Sequence, residues 1–337
     1  MTEALAPSPW RLCVAPMLDW TDRHCRFLHR LITPRTRLYT EMVTTGALIH
    51  GDRARHLDFH VAEHPVALQI GGSEPEDLAR CARWAREWGY DEVNLNCGCP
   101  SERVQRGAFG ACLMAEAGLV ADGLKSMQDA VDIPVTVKHR IGIDRIERYE
   151  FVRDFVGTLH ERSGCRVFIV HARNAWLQGL SPKENREVPP LRHDLVHRLK
   201  RDFPRLTIVI NGGIASPAQI DAQLQQVDGV MVGRAAYHDP WLMVDWDARH
   251  LGGMTPRRDR LEVERRYVAY MQRQVALGVP WPHMARHLLG LWHGQPGARH
   301  WRRVWSDARL RHLDPAQVHA RAHAGAPAPA TADSVAN

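Results

Sequence analysis

Eight short apolar segments recur before residue 235, and most are continuous runs rather than alternations of apolar and polar positions. They are Leu12–Met17, Leu38–Val43, Val66–Gly71, Glu92–Cys97, Pro134–Arg140, Val167–His171, Thr207–Gly212 and Gly229–Arg234. A continuous run suits a strand covered on both faces, as parallel strands flanked by helices are. Amphipathic stretches separate the runs. In Pro75–Tyr90, Leu78, Cys81, Ala82 and Ala85 mark one helical face and Gly89 supplies the stop; Pro217–Val227 opens with Ser216 as N-cap and Pro217 at the first helical position. Eight strand–helix repeats predict an α/β fold, a (β/α)8 barrel. A doubly wound open sheet is the runner-up, but eight units would make a large one.

After Gly233-Arg234 the pattern changes. From about Arg257 to His312 there is helical periodicity and no good strand, for example at Leu288, Leu289, Leu291 and Trp292. From about Arg321 the chain is rich in Ala and Pro, a composition expected to be disordered. The predicted organisation is a barrel over 1–245, a C-terminal all-helical domain over 255–315 and a tail over 321–337. The 337 residues suffice for a barrel of roughly 250 residues plus this appendage.

Composition narrows the class. The chain is 45% hydrophobic and 24% charged, the balance of a globular protein able to bury a core. No apolar run approaches the roughly 20 residues that span a bilayer, and MTEALAPSPWRL has no apolar stretch behind a basic start. A cytosolic location and no membrane partner are expected. Seven scattered cysteines suit reduced thiols; without a CxxC pair, and with Cys97 and Cys99 too close together, no metal site is expected. The net charge of +6 says little alone, but its distribution says more. Between Trp281 and His312 lie six arginines (286, 299, 302, 303, 309, 311), four tryptophans and one acid, Asp307. Arg299, Arg302 and Arg303 share one helical face, which suits RNA phosphates; Trp301 and Trp305 form a second stripe, read as packing for the helical core.

Barrel active sites are built at the C-terminal ends of the strands. There, Asn211-Gly212-Gly213 and Gly233-Arg234 end the seventh and eighth strands, the usual phosphate-binding position, where glycines admit backbone N–H groups and an arginine adds a bidentate partner. Lys138 ends the fifth strand, where it can form a Schiff base or stabilise an anionic flavin. Gln69 and His171 face the same mouth and can hydrogen-bond a flavin ring. The fourth strand runs into Asn96-Cys97-Gly98-Cys99-Pro100-Ser101. A thiol is mostly protonated at neutral pH, so Cys99 is a candidate general acid as well as a nucleophile, ligand or structural thiol. Cys97, of opposite strand parity to Asn96, is read as structural.

Taken together, Ala15-Pro16-Met17, Gln69-Ile70-Gly71-Gly72, Asn94 to Ser101, Val137-Lys138-His139-Arg140, His171-Ala172-Arg173, Asn211-Gly212-Gly213 and Gly233-Arg234 resemble the tRNA-dihydrouridine synthase family, to about residue 312. His171 through Arg186 resembles the branch that modifies positions 20 and 20a of the D-loop. The resemblance implies an FMN enzyme with NADPH as reductant, acting as a monomer on tRNA. It implies Cys99 as proton donor; Pro16, Met17 and Leu18 as the wall beneath the flavin; and Gln69, Lys138 and His171 as FMN-binding residues. Asn211, Gly212, Gly213, Gly233 and Arg234 would hold the phosphate, and Asn96, Lys183, Arg186, Arg299 and Arg302 would meet tRNA. Asn174 departs from the pattern, standing where a lysine is expected, which bears on tRNA docking. The NADPH contacts are not legible, and no GxGxxG is present.

Three other functions fit parts of the pattern. An FMN barrel reducing a small molecule would share the phosphate turns but would not need the arginine-rich helices. A lyase would use Lys138 as a Schiff base. A non-catalytic tRNA-binding protein would not need Cys99.

Overall fold

A computed structural model describes residues 7–101, 107–146, 148–253 and 258–324. Eight parallel strands, β1 (Leu12–Val14), β2 (Leu38–Thr44), β3 (Val66–Gly71), β4 (Glu92–Cys97), β5 (Val135–Arg140), β6 (Val167–His171), β7 (Thr207–Asn211) and β8 (Gly229–Val232), pair in the order β1-β8-β7-β6-β5-β4-β3-β2. A parallel bridge between Cys13 and Arg37 completes the ring, giving a (β/α)8 barrel. The first strand ends at Val14, three residues earlier than its apolar run, because Met17 already turns back: its N–H donates to Thr21 Oγ1 at 2.9 Å.

The helices of the barrel layer are α1 (Arg23–Ile32), α2 (Thr45–His50), α3 (Pro75–Trp88), α4 (Ala117–Ala130), α5 (Tyr149–Ser163), α6 (His193–Asp202), α7 (Pro217–Leu224) and α8 (Arg234–His238). α3 stops at Gly89, whose φ of 90° is open to glycine at little steric cost. α7 is capped by Ser216, whose side chain accepts the Gln219 N–H.

Strand parity sorts the residues. On β4, Val93, Leu95 and Cys97 face the helices and join the apolar layer there. Glu92, Asn94 and Asn96 take the other parity and belong to a hydrogen-bonded ladder inside the ring. Thr136 Oγ1 donates to Glu92 Oε1 at 2.5 Å, and Asn94 Nδ2 donates to Thr136 Oγ1 at 2.7 Å. Gln69 Nε2 donates to Asn94 Oδ1 at 2.7 Å, and Asn96 Nδ2 donates to Gln69 Oε1 at 2.9 Å. Buried polar groups are tolerable when each is paired, and these are.

Beyond the barrel lie α9 (Arg260–Ala276), α10 (Pro282–Leu288), α11 (Ala298–Trp305) and α12 (Pro315–His323). α12 carries the chain two residues past Arg321, where the composition suggested a tail. Pro315 occupies its first turn and Asp314 caps it in a capping box with Gln317, so the proline starts a helix rather than breaking one. The rest of the expected tail, 325–337, lies outside the described residues.

The helical region packs on α1: Phe27 stacks on Tyr270 with ring centroids 3.9 Å apart, and Tyr267 Oη donates to the His24 carbonyl at 3.2 Å. Its buried residues and those around the barrel form one contiguous apolar cluster. Asp22 adds a polar tie. Its Oδ1 caps α1 by accepting from the His24 and Cys25 N–H groups, while Oδ2 meets Arg286 Nη2 at 2.7 Å and His287 Nε2 at 2.9 Å. Burial opposes ionisation of Asp22, but His287, the Cys25 N–H and Arg286 outweigh it and hold the carboxyl well below the usual range.

Candidate active site

The strand ends and the loops after them enclose a cavity of about 1480 Å³. A drug-sized ligand is held by roughly 300–1,000 Å³, so this space admits a ring system and a second group beside it. It is lined by Pro16, Met17, Leu18, Gln69, Asn96, Cys99, Lys138, His171, Arg186, Asn211, Gly212, Gly213, Gly233 and Arg234. Of the residues named from the sequence, Lys183, Arg299 and Arg302 are not in its wall. Lys183 is exposed just before the short turn Glu184–Arg186, and the two arginines are exposed on α11.

Strand register brings these groups to one level. Asn96 pairs with Lys138, Arg140 with His171, and His171 with Asn211 across neighbouring strands. Asn96 sits at the top of the internal ladder: its Oδ1 accepts the N–H of Gly98 at 3.1 Å and of Cys99 at 3.0 Å. Cys99 is half-buried, with its Sγ donating to Ser101 Oγ at 3.5 Å. Residues 102–106, which continue this loop, lie outside the described residues. Cys97 is wholly buried on the helix side of β4, where burial pushes its thiol up.

The turn after β7 needs its glycines. Gly212 has φ 115° and a Cβ there would lie 2.6 Å from His171 Cδ2; Gly213 has φ 71° and its Cβ would lie 2.4 Å from Leu191 Cδ1. Gly233 follows the neighbouring strand β8 and lines the same cavity, while the Arg234 side chain is half-exposed and paired with Glu187 at 2.7 Å.

The cavity gathers positive charge. Burial and Arg140 push the Lys138 ammonium down to about 7. Burial, Arg140 and Lys138 hold the His171 imidazolium far below its usual value, leaving a neutral ring that can donate or accept. Arg186 is pushed down by burial and Arg234. Burial leads each of these shifts and the neighbouring cations add to it, so negative charge placed here would favour the charged forms.

Arg140 is a cavity-lining residue that reasoning from the sequence did not single out. Its Nε donates to the Gly98 carbonyl at 2.9 Å and its Nη1 to the carbonyls of Asn174 and Asn185, each at 2.9 Å. One buried guanidinium thus ties the Cys99 loop to the segment carrying Arg186. The basic strand end Lys138-His139-Arg140 was its signal, since a charged residue inside a barrel strand needs partners. Asn174, the departure from the family pattern, is not in the cavity wall; its Nδ2 donates to the carbonyls of Asp144 and Ile146.

On α11, Arg299, Arg302 and Arg303 are exposed while Trp301 and Trp305 are buried, so the tryptophan stripe is core and the arginines face outward.

A barrel with a thiol, a lysine and glycine turns converging on one cationic cavity defines the class; comparison with known proteins gives the family. Residues 13–323 match the family model described as Dihydrouridine synthase (Dus). The chain belongs to the dihydrouridine synthase family. It is 57% identical over 297 residues to the tRNA-dihydrouridine(20/20a) synthase of Vibrio vulnificus (strain CMCP6), covering 88% of this chain and 91% of that protein. It is 56% identical over 297 residues to the protein of the same name from Escherichia coli (strain K12), covering 88% and 86%. Among solved structures, a 2-naphthoyl-CoA reductase complex superposes with a TM-score of 0.54 at 12% identity, covering 70% of this chain and 49% of that one, a likeness of fold alone.

Proposed function

We propose that this chain reduces uridines at positions 20 and 20a of the tRNA D-loop to 5,6-dihydrouridine, with FMN bound in the barrel mouth and NADPH as reductant. It would do so as a monomer in the cytosol. The observation that carries this reading is the convergence of Cys99, Lys138, Gln69 and His171 with the Gly212-Gly213 turn in one cavity. The names of relatives at 56–57% identity support the substrate.

The residues present fit FMN. Pro16, Met17 and Leu18 form an apolar wall, and Leu18 is 66% exposed although large and apolar, as a side chain awaiting a flat partner is. Gln69 retains a second Nε2 hydrogen for the ring edge, neutral His171 can donate or accept, and Lys138 can meet negative charge on the ring. Asn211, Gly212, Gly213, Gly233 and Arg234 would hold the phosphate, Arg234 by exchanging Glu187 for it. Bound there, reduced FMN would supply a hydride to C6 of uracil.

The chain's own part is to hold the base and deliver a proton. A uracil must leave its stack to enter, and a loop base leaves most cheaply. Asn96 keeps one Nδ2 hydrogen for the base edge. The electron pair left at C5, conjugated with the C4 carbonyl, takes the proton of the Cys99 thiol, and the charge passes to sulfur beside Lys138 and Arg140. Arg186 at the rim, and Lys183, Arg299 and Arg302 farther out, would meet the RNA backbone. Dihydrouridine mapping by mass spectrometry, in tRNA from a strain lacking this gene, tests the proposal. Loss at 20 and 20a, restored by wild type and not by Cys99→Ala, is expected; undiminished dihydrouridine in the deletion strain would overturn it.

A further inference from the structure

Away from the barrel mouth, the fully buried carboxylate of Glu264 on α9 is surrounded by nitrogen. Its Oε2 accepts from Trp292 Nε1 at 2.7 Å and lies 2.9 Å from His323 Nε2. Its Oε1 accepts from Trp301 Nε1 at 2.7 Å and Trp305 Nε1 at 3.4 Å, and lies 3.7 Å from His319 Nε2. The two histidines stand one turn apart on α12, at i and i+4, so both rings reach the same side. One oxygen of Glu264 and one nitrogen of each histidine all lie within 4.8 Å of one another.

We propose that Glu264, His319 and His323 form a binding site for a divalent transition-metal ion of the zinc type, which pins α12 against α9. Imidazole and carboxylate donors suit Zn²⁺ and its neighbours. Bonds of about 2.0–2.2 Å to nitrogen and oxygen place tetrahedral donors about 3.3 Å apart. His323 lies 2.9 Å from Oε2 and His319 3.7 Å from Oε1, both near that spacing. One donor atom from each of the three residues lies within 4.8 Å of the others, so an ion would draw the rings and one carboxylate oxygen together.

Two further features favour a metal over a bare ion pair. His319 Nε2 is buried and makes no hydrogen bond among the described residues, which a ligand bond would remedy. The indole N–H groups of Trp292 and Trp301 each grip one carboxylate oxygen, as outer-shell donors orient a ligating carboxylate; Oε2, which takes one indole where Oε1 takes two, keeps a lone pair on the His323 side for the ion. The side chains of His319 and His323 are 20% and 27% exposed, so an ion can enter from solvent and water can take a fourth position. The sequence hid the site because Glu264 lies more than fifty residues before the His-x3-His pair.

The test uses the full-length, tag-free protein, stripped with chelator and titrated with Co²⁺ and Zn²⁺. One equivalent of Co²⁺ with a tetrahedral visible band, displaced by Zn²⁺, is expected, and Zn²⁺ should raise Tm. His319→Ala and His323→Ala should each lose the band and the Tm rise, while Arg321→Ala, an exposed change on the same helix, keeps both. His319→Gln, a milder change, guards against misfolding and should also lose the band. Absence of a stoichiometric site in wild type, or binding that survives both histidine substitutions, would overturn the proposal and leave His323–Glu264 as an ion pair only.

Discussion

Asn96 Oδ1 accepts the backbone N–H of Cys99 at 3.0 Å, and the same amide donates to Gln69 at 2.9 Å. The loop carrying the thiol is therefore fastened to the ladder that fills the barrel. Loss of a general acid typically costs about 10²–10⁴ in rate. Cys99→Ala should show a loss of that size in single-turnover dihydrouridine formation, with flavin content intact. Asn96→Ala should lower the same rate by at least about tenfold with the thiol still present, because a misplaced group costs heavily. Wild-type single-turnover rates in Cys99→Ala would remove the thiol from the mechanism.

Flavin affinity should depend on pH through Lys138. Its ammonium, pushed down to about 7 by burial and Arg140, is favoured again once a flavin ring carbonyl accepts its hydrogen bond and the FMN phosphate adds negative charge to the cavity. Binding then takes up a proton above pH 7. Affinity is greatest below the free-protein value and falls as pH rises through it, by up to about tenfold per pH unit. Fluorescence titrations of FMN between pH 7.5 and 9, where its phosphate is already dianionic, should show this fall in wild type. In Lys138→Met they should show weak, flat binding; an equal slope in that variant would exclude Lys138 as its source.

Gly212→Ala should damage both the turn and its neighbour. The left-handed φ of 115° and the 2.6 Å approach to His171 together predict about 1–3 kcal/mol of destabilisation. FMN binding should weaken beyond that of a surface control, since His171 must shift. Unchanged denaturant midpoint and flavin affinity would contradict the cradle assigned to this turn.

The outward arginines of α11 should act on RNA and on little else. Replacing Arg299, Arg302 and Arg303 with Ala should raise the Kd for tRNA and leave Tm and single-turnover rates at saturating tRNA near wild type. Each arginine–phosphate pairing removed should take about 0.7–0.9 off the slope of log affinity against log salt. An unchanged slope would place the RNA elsewhere.

Much of this was legible in advance, for identifiable reasons. β3, β4 and β6 match their predicted runs end for end: β3 and β6 are largely apolar, as strands sheathed on both faces are, while β4 alternates Val93, Leu95 and Cys97 with the ladder residues Glu92, Asn94 and Asn96. The cavity residues were legible because barrel chemistry sits at strand ends, so Lys138, His171 and Asn211 could be named by position. Arg140 escaped because its role is to fasten carbonyls from three loop positions, a relation between segments that spacing does not encode. The Glu264 cluster escaped for the same reason. α12 was hidden by composition, its Ala and Pro content concealing a capping box at Asp314.

The stacking of Phe27 on Tyr270 has a thermodynamic corollary. A barrel cut after residue 257 would bare the aromatic flank of α1 to water, and oily surface of that kind invites self-association. The two regions should melt as a single calorimetric endotherm, because their buried apolar residues form one contiguous cluster. Lesions far out on the helices would then disturb the cavity around Cys99 by thawing the whole molecule.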